Sequence, residues 1–273
     1  NCYDRSDMGE FRKQVKRDFV PFAEKLHERR RQRLGIDHLL YIDEGVYFPQ
    51  GNPAPIGTPE EILQAGQKMY RELSKETGEF MDFMRENELF DVLGRKTKKT
   101  GGYMTYLPDF GAPFIFANFN GTSGDADVIT HECGHAFQWY VVKDDPIREH
   151  WDITMETAET HSMSMEFFTE PWMNLLFGSR AKDYVDMHFE DSMAFIPYGT
   201  MVDEFQEIAY QNPGLTPAQR NGVWRDLERQ YKPHLDYTGN AYYEAGGFWQ
   251  KQHHIYDCPL YYIDYCIAQA NAL

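Results

Sequence analysis

Apolar residues recur at helical spacing along most of this chain and alternate in only one short stretch. Phe11, Val15, Phe22 and Leu26 share a helical stripe, and Asp7 with Glu10 reads as a capping box, so the pattern predicts a long helix ending at Gly35. The basic end of that helix, Arg29-Arg30-Arg31-Gln32-Arg33, reads as a solvated last turn whose cations oppose the helix dipole, and not as an interaction patch. Pro49, Gly51, Pro53, Pro55 and Gly57 then mark an irregular surface connector. Thr58-Pro59-Glu60-Glu61 supplies the N-cap, first-turn proline and box glutamate of a second helix, and a third is expected over residues 79–93.

Strand signals are confined to residues 102–107 and 113–119, where Phe114, Phe116 and Asn118 alternate against Ile115, Ala117 and Phe119. From Asp125 onward the apolar spacing is helical, punctuated by Asp145-Pro146, Gly178, Pro197, Pro213-Gly214 and Thr216-Pro217. The expected fold is mainly α with one small β-sheet.

Composition narrows the function. With 42% hydrophobic and 15% aromatic residues over 273 positions, the chain buries a substantial core. Its 43 acidic and 27 basic residues give a net charge of -16, which disfavours nucleic acid and anionic lipid as partners. The charge-free stretch 110–124 is broken by Gly111, Pro113 and Gly121, so no membrane span is expected. Cys2, Cys133, Cys258 and Cys266 form no CxxC pair; free thiols and a cytoplasmic location are expected. The first residue is not Met, and the last residues, AQANAL, read as an uncapped helix, so we expect a portion of a longer protein.

The chemistry concentrates after residue 130. His131-Glu132-Cys133-Gly134-His135 is an HExxH pattern within an apparent helix flanked by Val128, Ile129 and Ala136. Positions i and i+4 lie on one helix face, so His131 and His135 can offer imidazole nitrogens to one metal ion, while Glu132 stands beside them to accept a proton from water. A hydrolytic zinc site needs a third protein donor and an open position. The segment Met155-Glu156-Thr-Ala-Glu159-Thr-His161-Ser162-Met-Ser-Met-Glu166 offers several, and spacing does not choose among them. Glu156 and Glu159, one turn apart, suit a division in which one binds metal and the other holds a ligand imidazole by its second nitrogen. Farther on, Tyr261 and Tyr265 share a helix face with His253 and His254 shortly before them. Phenol and imidazole donors suit a developing oxyanion, although for the tyrosines taken alone an aromatic core is the better account.

HExxH, 23 intervening residues, and then Glu159-x-x-Ser162-x-x-x-Glu166 resemble the thimet oligopeptidase and oligoendopeptidase F family of zinc peptidases, most closely its oligoendopeptidase F branch. Gly101-Gly102-Tyr103 and Pro113-Phe-Ile-Phe-Ala-Asn-Phe-Asn-Gly-Thr122 are similar to that branch's glycine-rich loop and edge strand. Ile196-Pro197-Tyr198-Gly199 and His254-Ile-Tyr256-Asp-Cys-Pro259-Leu-Tyr261-Tyr262-Ile-Asp-Tyr265 resemble its later signatures, with Leu260 replacing the usual Phe. The resemblance implies a zincin-like helical metallopeptidase catalytic lobe spanning residues 1–273, with a helical leading part (1–100) and the sheet and site helices in 101–273. It implies zinc ligands at His131, His135 and Glu159, Glu132 as general base, Glu156 beside the ligands, and His254 and Tyr265 as oxyanion donors, with either Tyr261 or Tyr262 facing the site beside them. Family members are considerably longer, and nothing in this chain corresponds to their amino-terminal half.

The function so implied is a zinc-dependent endopeptidase acting on short, unstructured oligopeptides. The strand 113–119 is expected at a sheet edge, holding the peptide backbone by β-augmentation. The alternatives are a peptide-binding protein without turnover on the same scaffold, and another HExxH hydrolase with a different third ligand. Oligomeric state leaves no trace in the sequence.

Overall fold

The computed structural model describes residues 3–273. Helix α1 (Arg5–Gln14) starts from Asp4, whose carboxylate accepts from the N–H groups of Ser6 and Asp7 while the Asp7 carboxylate accepts from the Asp4 N–H. The capping box is therefore Asp4 with Asp7, one turn earlier than the Asp7 and Glu10 pairing. After a π turn at Val15–Phe19 the helix continues as α2 (Val20–Leu34) and stops at Gly35, which is left-handed. Its basic end is not solvated as expected. Arg30 is buried with its guanidinium on the ring of Tyr47, and Arg33 makes a two-pronged pair with Glu190. Planar, weakly hydrated guanidinium groups pack on aromatic faces, so these arginines act as core and bridging residues. The connector after Gly35 is likewise partly interior, since Tyr47 and Phe48 are buried.

Helix α3 (Pro59–Leu73) opens with the Thr58 and Glu61 box, and α4 (Lys75–Glu86) opens at Ser74. The third helix thus ends before 93. Glu88 has a φ of 53°, and the chain turns there into a strand missed by sequence, β1 (Phe90–Leu93), too short to show alternation. It joins β2 (Tyr103–Leu107) and β3 (Ala112–Phe119) in the order β1-β3-β2, with β1 parallel and β2 antiparallel to β3. This corrects the edge assignment: β3 is central, its main-chain groups are engaged on both sides, and β1 and β2 are the edges.

A short α5 (Gly124–Asp127) leads through a π turn, Val128–Glu132, into α6 (Cys133–Val142), so the HExxH segment is not one regular helix. Then follow α7 (Met155–Phe168), α8 (Met173–Phe177) and α9 (Ala181–Gln211), which contains Pro197. The last helices are α10 (Pro217–Tyr231), α11 (Ala241–Glu244), α12 (His254–Asp257) and α13 (Tyr262–Ala272). The fold is mainly α with one small sheet. Among the described residues no helix is long and apolar enough to cross a membrane.

The chain divides into two compact units, Asn1–Gly51 with Met187–Ile267, and Asn52–Asp186 with Ala268–Leu273. The first has an aromatic core in which Trp224 packs edge-on to Phe205 and face-to-face with Phe248, beside Ile196, Val202 and Tyr231. Gly199 lets α9 meet α13, since a Cβ there would lie 2.4 Å from the Cys266 sulfur. In the second unit Met69, Tyr70, Phe80, Met81 and Met84 form a fully buried core with Ile115, Ile129 and Ala136. This core seats the sheet and α3–α4 against the segment that carries the histidines. Cys133, Cys258 and Cys266 are free thiols, as expected; Cys2 lies outside the described residues.

Candidate metal centre

Helices α6 and α7 meet backbone to backbone at Gly134, where an added Cβ would stand 2.6 Å from the Ser162 Cα and 3.0 Å from the His161 carbonyl oxygen. That approach sets His131 and His135 opposite Glu159. The Nε2 atoms of the two histidines lie 3.3 and 3.4 Å from the same carboxylate oxygen, Glu159 Oε2, and the rings stand 85° apart. Ligand atoms of the three residues fall within 4.8 Å of one another; Glu156 and His161 do not join them. Ser162 Oγ donates to Glu159 Oε2 at 3.1 Å, fixing the carboxylate.

The partner of the His131 Nδ1 is Glu166, at 2.6 Å, and this corrects the place expected for Glu156, whose Oε2 is buried without a hydrogen-bond partner. The reason is rotational. Glu166 follows Glu159 by two helical turns and returns to its face, within reach of the far side of the His131 ring. With Nδ1 bound to a carboxylate, Nε2 is left as the lone-pair nitrogen pointing toward Glu159 and His135. Two imidazole nitrogens and one carboxylate on converging vectors fit a zinc ion with an open position.

Burial pushes the Glu132 carboxyl above the usual range, opposed by the imidazoles of His131 and His135 and by a hydrogen bond from the Met104 N–H. For Glu159 burial also pushes upward, but bonds to the two imidazoles outweigh it and hold the carboxyl well below its ordinary value. His131 is the converse case: burial disfavours its cation, and bonds to Glu159 and Glu166 outweigh that and raise it.

The register of β2 on β3 shows which main-chain groups are open. In an antiparallel pair, a residue whose N–H turns away from its partner strand turns its C=O away too, and alternate residues behave alike. Tyr106 pairs with Pro113, which has no N–H to give, so the main-chain groups of Tyr106, and of Met104 two residues before it, face the free edge of β2. The open edge beside Glu132 is therefore β2.

The carboxyl-terminal candidates cluster within the first unit. Tyr265 Oη lies 3.4 Å from His254 Nε2, and the Tyr261 and Tyr265 rings are 4.8 Å apart. His254 Nδ1 is 2.8 Å from the Gln252 amide nitrogen, and the Tyr198 hydroxyl donates to the Gln252 carbonyl at 2.6 Å. An amide donor at Nδ1 places the imidazole proton on Nε2, where it points to the Tyr265 oxygen and leaves the phenol hydrogen for another acceptor. Sequence reasoning missed Gln252, for which its place just before the two histidines was the only signal. Tyr262 is buried against Phe195 and Tyr198, a core position.

A second His/Glu group, His27, Glu44 and His234, also lies within ligand distance. Its geometry suits packing. The imidazoles stack with centroids 3.6 Å apart and planes 26° apart, so their lone pairs run side by side instead of converging, and Lys232 already holds Glu44 at 2.8 Å.

The profile of peptidase family M3 matches residues 72–273. Among solved structures the chain is similar to a protein provisionally named oligoendopeptidase F, at 53% identity and a TM-score of 0.97, over 99% of this chain and 48% of that one. It is similar to PZ peptidase A solved with an inhibitor, at 53% identity and a TM-score of 0.96, over 98% and 48%. A Bacillus anthracis str. Ames protein, also provisionally named oligoendopeptidase F, matches at 43% identity and a TM-score of 0.87, over 98% and 45%. The chain spans about half the length of these solved relatives. Among curated proteins, none matches.

Proposed function

Because the chain belongs to peptidase family M3, we propose that it is the metal-bearing part of a zinc-dependent endopeptidase that cleaves short, unstructured oligopeptides. One observation carries the zinc reading: two perpendicular imidazoles and Glu159 present one nitrogen, one nitrogen and one oxygen to a common point, with the His131 Nδ1 held by Glu166. His131, His135 and Glu159 would hold the ion. When bound, zinc supplies Lewis acidity toward the scissile carbonyl and toward water.

The protein's own groups do the rest. The β2 edge offers main-chain groups at Met104 and Tyr106 to an extended peptide, a mode that tolerates many sequences because side chains contribute little to it. Glu132, buried beside that edge, takes a proton from the attacking water and returns it to the leaving amine; a carboxyl raised by burial is suited to both steps. By family resemblance His254, Tyr261 and Tyr265 donate hydrogen bonds to the developing oxyanion. Buried free thiols at Cys133 and Cys266 favour a reducing, cytoplasmic setting.

The test is metal analysis of the purified chain together with Glu132→Gln. One zinc per chain, lost in His135→Ala, is expected. Glu132→Gln should retain the zinc and, in any active form of the protein, lose peptide cleavage, because an amide keeps the shape and cannot accept the proton. Zinc bound without His135, or cleavage at the original rate by Glu132→Gln, would overturn the assignment.

A further inference from the structure

His131 belongs to the π turn Val128–Glu132, while His135 belongs to the regular helix after it. A π turn bonds i to i+5, one residue more than an α turn, so it rotates the side chains before it relative to those after it. It also leaves a main-chain carbonyl short of its helical N–H partner, and a buried carbonyl without a donor is costly. The turn is buried: Ile129 and Thr130 have no exposed surface. Its carbonyls are supplied from another helix. Tyr70, on α3 and itself fully buried, donates its hydroxyl to the Ile129 carbonyl oxygen at 3.0 Å, with the Thr130 oxygen at 3.5 Å. One turn earlier on the same face of α3 is Gly66, where a Cβ would stand 2.8 Å from the Ile129 side chain. A bare glycine thus admits the bulge, and a phenol four residues on satisfies it.

We infer that Tyr70 is a positioning residue for the metal centre: its hydroxyl holds the π turn that sets His131 at its angle to His135. Tyr70 touches none of the three ligands; its hydroxyl reaches the main-chain carbonyls of the turn and lies beside the Cys133 thiol. The inference rests on the proposal that His131, His135 and Glu159 bind metal.

Tyr70→Phe removes one oxygen and keeps the ring. In a chelator competition with zinc, we expect it to weaken binding about tenfold, in the range seen when groups supporting a ligand are removed. It should also alter the visible spectrum of the cobalt(II)-substituted chain, and in the metal-free chain speed amide hydrogen exchange over residues 131–134. Phe80→Leu is the comparison. It loosens the same core at a ring edge-on to Tyr70, and should lower Tm while leaving the zinc constant and cobalt spectrum as in the unaltered chain. Equal zinc affinity and equal exchange in Tyr70→Phe and the unaltered chain would overturn the inference. If the unaltered chain binds no metal, the metal proposal fails, and the exchange measurement alone decides whether Tyr70 holds the turn.

Discussion

The Gly134 Cα faces the Ser162 Cα across the crossing of α6 and α7 with no room for a single methyl group between the helices. The two unspecified positions of HExxH are therefore unequal: Cys133 is a buried filler, and Gly134 sets the distance from His131 and His135 to Glu159.

Gly134→Ala should cost about 1–3 kcal/mol of stability, the usual range for overpacking, because a backbone neighbour cannot swing aside as a side-chain tip can. Zinc stoichiometry should fall with it. The contrast is Gly222→Ala in α10, where a Cβ meets nothing within 4 Å and helix propensity should stabilise by about 0.5–1 kcal/mol. Thermal melts and metal analysis of both variants check this.

Glu166→Gln should weaken zinc binding about 10–100-fold, whereas Glu156→Gln should leave it unchanged, since Glu166 holds the His131 Nδ1 and Glu156 holds no imidazole. Competition with a chelator of known affinity distinguishes the two carboxylates.

The stacked pair His27 and His234 makes the first unit acid-sensitive. Burial, then the neighbouring His234 and Arg30, pushes His27 down from 6.5 to about 2, and burial also lowers His234. The folded state thus keeps His27 neutral while the unfolded chain takes up a proton below pH 6.5. Stability from this site is present above pH 6.5 and falls as pH drops, by about 1.4 kcal/mol per pH unit for each such proton. Glu44, held below the usual carboxyl range by Lys232 and His234 despite its burial, adds to the loss once pH passes below 4.5. His27→Phe keeps the stack without the titration, so its denaturation free energy between pH 6.5 and 4.5 should slope less steeply by about one proton. An unchanged slope would show that His27 does not titrate there.

Tyr265→Phe should lower kcat about tenfold to a thousandfold with KM within a few-fold, because a donor aimed at a developing oxyanion serves the transition state selectively. Its Tm should hardly change. Tyr262→Phe, in a ring packed among Phe195 and Tyr198, should leave kcat unaltered. The reverse result would move the role to Tyr262.

The sequence by itself determined what is local or carried by residue identity. The Thr58 box, the stop at Gly35 and the histidine pair one turn apart follow from bonds and periodicities that span a few residues. The family was legible for the same reason, in motifs of fixed spacing. Tertiary structure decided whatever depends on partners distant in the chain. β1 became a strand because β3 was there to pair with it, and its arrival made β3 central, leaving the open edge beside Glu132 to β2. Glu166 replaced Glu156 at His131 because orientation around α7, and not nearness in sequence, selects the partner of a ring. Arg30 went inside because Tyr47 offered a face to its guanidinium. The π turn that carries His131 is invisible to helical periodicity, because what holds it is Tyr70, a hydroxyl 59 residues away from Ile129.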